Sequence, residues 1–86
     1  MFEIKKYDGF VSSYKTNSID EDVTYDDIVK ILGFPPNVAD DPDKVTASWT
    51  FTVAGKICAI WDYRGSRWSA YDPDFVLHLV FGDKLK

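Results

Sequence analysis

The chain holds one cysteine, one histidine and one methionine. With Cys58 alone, no intrachain disulfide can form and a zinc site of the Cys-x-x-Cys kind is excluded. A reducing cytoplasm is the simplest setting for such usage. Glycine is scarce as well, five residues spread singly, so there is no glycine-rich loop to cradle a phosphate. No apolar run approaches the roughly 18 residues that a bilayer crossing needs. The opening stretch MFEIKKYDGF lacks the apolar run of a secretion signal. No cofactor motif is present, and none is expected to be bound.

What the chain has in quantity is aromatic side chains: three Trp, five Tyr and six Phe. Eighty-six residues make one domain, expected to span 1–86. A chain of this size buries only about 60–65% of the surface exposed on unfolding, so its core is modest. Large rings supply much apolar area per residue and offset the ordering entropy. A composition 45% hydrophobic against 28% charged is that of a globular domain.

Charge is unevenly spread. Residues 17–43 carry eight acids (Asp20, Glu21, Asp22, Asp26, Asp27, Asp40, Asp41, Asp43) and one base, Lys30, a net of −7; with −4 for the whole chain, the remainder sums to +3. Such asymmetry can orient a partner, and it also occurs on surfaces that bind nothing.

The first segment, FEIKKYDGFVSSY, reads as two short strands about Asp8-Gly9, a good hairpin signal. With Tyr7-Asp8-Gly9 as the loop, Phe2 and Ile4 share a face with Phe10 and Tyr14. Next, VTYDDIVKILGFPP carries the marks of a short helix. Thr24 and Asp27 form a capping box, Val23 and Ile28 a hydrophobic staple, and Asp26 and Asp27 complement the dipole of the first turn. Gly33 ends the helix and Pro35-Pro36 forbid its continuation. Tyr25, Ile28, Val29 and Leu32 lie on one stripe, which is expected to face the core.

The acidic loop NVADDPDK precedes TASWTFTVAGKICAIWDY, an expected β-hairpin. Ala47, Trp49, Phe51 and Val53 alternate with Thr and Ser. A Val53-Ala54-Gly55 loop, a type I turn closed by a left-handed Gly, puts Ala47, Trp49 and Phe51 on the face of Ile57, Ala59, Trp61 and Tyr63. Arg64-Gly65 turns the chain into a third strand at 67–71, with Trp68 opposite Trp61 and Arg67 opposite Asp62. In DPDFVLHLVFGD, Asp72 as cap, Pro73 in the first turn and Gly82 at the end spell a helix, although the Val- and Phe-rich run 75–81 would also suit a buried strand. The expected order is β-β-α-β-β-β-α. The fold class is therefore α+β: an antiparallel sheet with one or two short helices packed on it.

Candidate chemistry is sparse. Cys58 lies mid-strand, where a thiol behaves as a small hydrophobe, and His78 sits inside an apolar run. No activated nucleophile beside a base is recognisable, and the expectation is a protein that is not an enzyme. The acid runs 20–22 and 40–43 lack the spacing of a calcium loop, so no metal site is expected. Segment 61–71 interleaves Trp61, Tyr63, Trp68 and Tyr71 with Arg64 and Arg67, the kind of platform that holds single-stranded nucleic acid. Two arginines give a weak phosphate field, and a net negative chain is repelled by polyanions, so direct nucleic-acid binding is the alternative reading.

Protein recognition is the leading one. The two acidic blocks flank a single helix, and such a surface suits a partner with a basic groove. The residues assigned to partner binding are Asp20, Glu21, Asp22, Asp26, Asp27, Asp40, Asp41 and Asp43, with Arg64 and Trp68 as an exposed, more apolar anchor. Segment 75–81 is a candidate for self-association, as a structural or accessory subunit.

The stretch TYDDIVKILGFPPNVADDPDKVTASWTFTVAGKICAIWDYRG resembles small proteins encoded by bacteriophages and mobile elements. The shared features are a short helix ending in G-x-P, then an acidic loop and DK, an S-W-x-F hairpin and an I-W-D-Y run. The resemblance covers about half the chain and carries no catalytic motif. It implies a compact acidic protein that binds and inhibits or modulates a host protein, of the anti-defence or anti-CRISPR kind, in the host cytoplasm. Lys5, Lys6, Lys15, Lys84 and Lys86 depart from a uniformly acidic mimic of nucleic acid, so a local acidic patch is the version expected here.

Overall fold

A computed structural model of the chain describes residues 3–7, 15–38, 47–62 and 68–85. In chain order the elements are β1 (Ile4–Lys6), β2 (Asn17–Ser18), α1 (Tyr25–Leu32), β3 (Ser48–Val53), β4 (Lys56–Asp62), β5 (Trp68–Tyr71) and α2 (His78–Phe81), followed by a 3-10 turn at Gly82–Lys84. The fold is α+β. Its antiparallel sheet has the order β1-β3-β4-β5-β2. Asp8 and Gly9 of the expected first hairpin, its strand from Phe10 to Tyr14, and residues 39–44 of the acidic loop 37–44 lie outside the described residues.

Helix α1 forms as its local sequence dictates. The Thr24 hydroxyl accepts from the Asp27 N–H at 3.2 Å, and the Asp27 carboxylate accepts from the Thr24 N–H at 3.0 Å. Gly33 ends it with φ 92° and donates its N–H to the Val29 carbonyl. Val23 and Ile28, the staple pair, are both buried. One expectation is corrected: Tyr25, at the start of the stripe, is 44% exposed and only leans on Trp49, with ring centroids 5.5 Å apart. The first turn of a short helix overhangs the edge of what it packs on, whereas Ile28 and Leu32 lie beneath.

Two registers differ from the sequence reading, and both matter. The β3–β4 turn has two residues, Ala54-Gly55, with φ 52° and 81°. Positive φ at both central positions is the type I′ arrangement, whose twist matches that of the paired strands. Val53 therefore pairs with Lys56, Phe51 with Cys58 and Trp49 with Ile60. A one-residue change of register exchanges the faces of a strand. Cys58 and Ile60, fully buried, thus join Trp49, Phe51 and Val53, while Ile57 and Trp61 turn to the other face and are only half-buried. Likewise Trp68 pairs with Asp62, and Trp61 with Ser69. Trp68 consequently lies on the core face, with the indoles of Trp49 and Trp68 edge to face at 5.6 Å.

These two indoles hold α1 on the sheet. Trp68 Nε1 donates to the Val23 carbonyl just before the helix at 2.9 Å, and Trp49 Nε1 donates to the Phe34 carbonyl just after it at 3.0 Å. Each satisfies a buried carbonyl at a chain turn, where an unmet acceptor would cost about 1–3 kcal/mol. Beyond the end of β1, Asn37 continues the edge: its side chain accepts from the Thr50 N–H and donates to the Thr50 carbonyl. The second sheet face carries short side chains, Ser48, Thr50, Ala59 and Ser69, all buried.

The last segment is helical at 78–81 only, shorter than the 73–81 suggested by Asp72-Pro73 and Gly82. Asp72 does cap, but further along the chain: its Oδ1 accepts from the Val76 N–H at 2.9 Å and its Oδ2 from the Leu77 N–H at 3.0 Å. Turning those N–H groups back to one carboxylate reverses the chain at Phe75, which takes φ 56° and so breaks any helix begun at Pro73. Leu77 and Phe81 then enter the same core as α1 and the sheet.

Candidate functional site

Strand β2 runs beside β5, and past its end Ile19 bridges Leu85 while the Asp20 N–H donates to the Lys84 carbonyl at 2.7 Å. Asp20, Glu21 and Asp22 then form the turn that leads into α1. Asp20 Oδ1 accepts from the Asp22 N–H at 3.0 Å, and the Val23 N–H returns to the Asp20 carbonyl. This turn leads into the first turn of α1, with Asp26 and Asp27, and the charge of Lys84, in the 3-10 turn, reaches Asp27. Five acids thus follow one another through this turn and the helix start (Asp20, Glu21, Asp22, Asp26, Asp27), with Lys30 and Lys84 close enough to act on Asp27 and with Asp83 next to Lys84 in the chain.

The acids are not equivalent. Asp27 is committed to the helix cap. The Thr24 backbone N–H, then the Thr24 hydroxyl, hold its carboxyl below its ordinary value of 3.8, with smaller help from the charges of Lys30 and Lys84. Asp20 supports the turn through its Oδ1. Glu21, Asp22 and Asp26 are exposed. Helix-start physics accounts for Asp27, and turn physics for Asp20. Asp22, Asp26 and Asp83 are exposed, and neither the helix cap nor the turn bonds account for their charge.

Asp40, Asp41, Asp43 and Arg64, the other half of the expected surface, lie outside the described residues. Trp68 is corrected. It is not an exposed anchor but a core residue, 9% exposed, because its strand register and its bond to Val23 turn the indole under α1. Of the rings in segment 61–71, Trp61 and Tyr71 share the second sheet face, whereas Trp68 does not join them. Trp68 pairs with Asp62 and Tyr71 with Ala59, which puts these two rings on opposite faces of β5, and Arg67 lies outside the described residues.

Cys58 behaves as a buried structural thiol. It lies within 3.9 Å of the buried Asp72 Oδ1, and burial followed by the charge of that carboxylate pushes the thiol up to about 12. A thiol held protonated is a poor nucleophile. His78 is exposed on α2. Among the described residues, no group of three or more His, Cys, Asp or Glu side chains gathers in a way that could hold a metal ion. No helix among them is long and apolar enough to cross a membrane.

Exposed apolar residues fall in the run 75–81, the segment singled out above for self-association. Phe75 is 70% exposed and Leu79 44% exposed, with Val76 and Val80 half-buried beside them. The run 75–81 was legible as apolar. Which of its members face outward depends on the Asp72 clamp, which has no local signal.

The domain class is clear: a small antiparallel α+β unit with an acidic corner where two turns and a helix start meet. No protein-family model matches the chain, and neither the curated proteins nor the solved structures provide a match.

Proposed function

We propose that this protein is a non-enzymatic binding protein whose acidic corner docks on a basic surface of a partner protein and modulates it. The observation that carries the reading is the run of exposed acids Glu21, Asp22 and Asp26 through one turn and the helix start, with the exposed Asp83 next to the Lys84 whose carbonyl accepts from the Asp20 N–H; Glu21 and Asp22 lie outside the helix-start position that local stability would explain. Like charges brought together on a small domain cost self-repulsion, and a partner of opposite sign relieves it while raising the association rate. The finer version, inhibition of a host nucleic-acid-processing or defence enzyme, is supported by the resemblance of residues 24–65 to phage-encoded proteins.

The test is the variant E21K/D22K/D26K, which leaves the Asp20 turn and the Asp27 cap in place. Affinity capture from host lysate, followed by mass spectrometry, is expected to recover a basic protein with the wild-type chain. Recovery should fall with the variant and with rising salt, since exposed charge pairs are screened over about 8–10 Å at physiological ionic strength. Capture that is equal for both chains and insensitive to salt would count against the reading.

A further inference from the structure

Among the described residues, the most exposed large apolar side chain is Phe75, and it is held at φ 56°, a region that L-residues with bulky side chains rarely enter. Both features run against folding stability. The left-handed backbone costs about 1–2 kcal/mol, and the ring gains nothing by burial within the chain. The Asp72 carboxylate enforces the conformation by gripping the Val76 and Leu77 N–H groups. The grip is firm, because Asp72 is itself fully buried and its own N–H is bonded to the Thr16 hydroxyl at 2.8 Å. The outcome is an apolar ridge: Phe75 at its tip and Leu79 exposed on the short helix, with Val76 and Val80 half-buried against the core beside them.

The surroundings of the ridge say what fits it. Asp74 precedes the tip. At the other end the chain runs into Asp83 and then pairs, through Lys84 and Leu85, with Ile19 and Asp20, the start of the acidic corner. The ridge therefore has acid at both ends. Lys84 and His78 are the basic side chains along it among the described residues. We infer that the ridge from Phe75 to Leu79 is the apolar anchor of the docking surface, and that its occupant is a partner segment with a central apolar stretch flanked on both sides by Lys or Arg. The inference rests on the proposed acidic docking function and adds the chemistry of the recognised segment. Charge complementarity selects this occupant over a second copy of the chain, because two copies would set acid against acid at both ends.

The experiment uses a short fluorescein-labelled peptide with a central Leu-Phe stretch and Lys at both ends. A control peptide of equal length and charge has Gly and Ser in place of the apolar residues. Fluorescence anisotropy is read on the wild type, on F75N and on E21K/D22K/D26K, and light scattering is read on the wild type and F75N. Asn tolerates φ 56°, so F75N is expected to melt no lower than the wild type. The wild type is expected to bind the apolar-basic peptide at least tenfold more tightly than the control, and F75N should lose about tenfold, the scale of a central anchor residue. Equal binding of both peptides, or F75N binding like the wild type, overturns the ridge assignment. If E21K/D22K/D26K then still loses affinity, the acidic corner stands without the ridge. If E21K/D22K/D26K binds like the wild type, it is the acidic corner that fails. A dimer that F75N abolishes would make the occupant a second copy and overturn the inference.

Discussion

The turn at Ala54-Gly55 supports a prediction whose sign tests the whole register. Ala54 sits at φ 52°, and its neighbour Gly55 at 81°. An L-residue other than Gly, Asn or Asp pays about 1–2 kcal/mol for the left-handed region. Asn pays much less, because its short amide bonds locally, and it is the preferred first residue of a type I′ turn. Ala54→Asn is therefore expected to stabilise the domain by about 0.5–1 kcal/mol, the part of the Ala cost that Asn recovers. For a domain of this size that is a rise of roughly 2–8 °C in Tm. Ala54→Gly should gain less, or nothing, because the added freedom of the unfolded chain takes back about 0.4–1 kcal/mol. The assay is thermal melting by far-UV circular dichroism, with urea denaturation to check that the m-value is unchanged. In the alternative three-residue loop, Ala54 would be right-handed, and neither substitution would stabilise. A clear fall in Tm for Ala54→Asn would refute the two-residue turn and with it the burial of Cys58 and Ile60 on the Trp49 face.

Asp72→Asn should cost about 1.5–3 kcal/mol, because one of the Val76 and Leu77 N–H groups would meet an amide donor in place of a carboxylate oxygen; urea titration measures it. Trp68→Phe removes the donor to the Val23 carbonyl and should cost at least about 1–3 kcal/mol; a loss below a few tenths would show that the indole does not hold α1. Thr24→Ala should cost about 0.5–2 kcal/mol and let the Asp27 carboxyl titrate closer to its ordinary 3.8, as followed by NMR. Since that carboxyl is depressed in the fold, its support for α1 is present above 3.8 and is lost as pH falls further. The Cys58 thiol is raised instead, so its contribution is whole below its ordinary 9.0 and is lost as pH rises toward about 12. Native protein near neutral pH should label slowly with a thiol reagent and release its single thiol in denaturant; prompt native labelling would contradict the buried site.

Elements whose signals are local were legible in the sequence. The cap Thr24, the partner Asp27, the staple Val23–Ile28 and the stop at Gly33 lie within a dozen residues of one another, and α1 follows from backbone hydrogen bonding and side-chain periodicity alone. The order of strands and helices, and hence the α+β class, was read in the same way. The acid run at 20–27 was visible too. What could not be read was the role of Asp20, whose carboxylate accepts from the Asp22 N–H only in the folded turn.

Face and partnership were decided by tertiary structure. A strand with apolar residues at Ile57, Cys58, Ile60 and Trp61 offers both its faces to the core, and alternation cannot choose between them. The choice fell to a turn in which Ala54 accepts a backbone strain that Gly55 alone would have been expected to bear, because the two-residue geometry lets β3 and β4 twist together and sets Cys58 and Ile60 against Trp49 and Phe51. The fate of Trp68 came with it: an indole that looks like a surface platform in the sequence lies beneath α1 because a carbonyl 45 residues away needs its N–H. Sequence neighbours decide how a segment bends; distant hydrogen-bond partners and shared burial decide which side of it meets water, and so where a partner can bind.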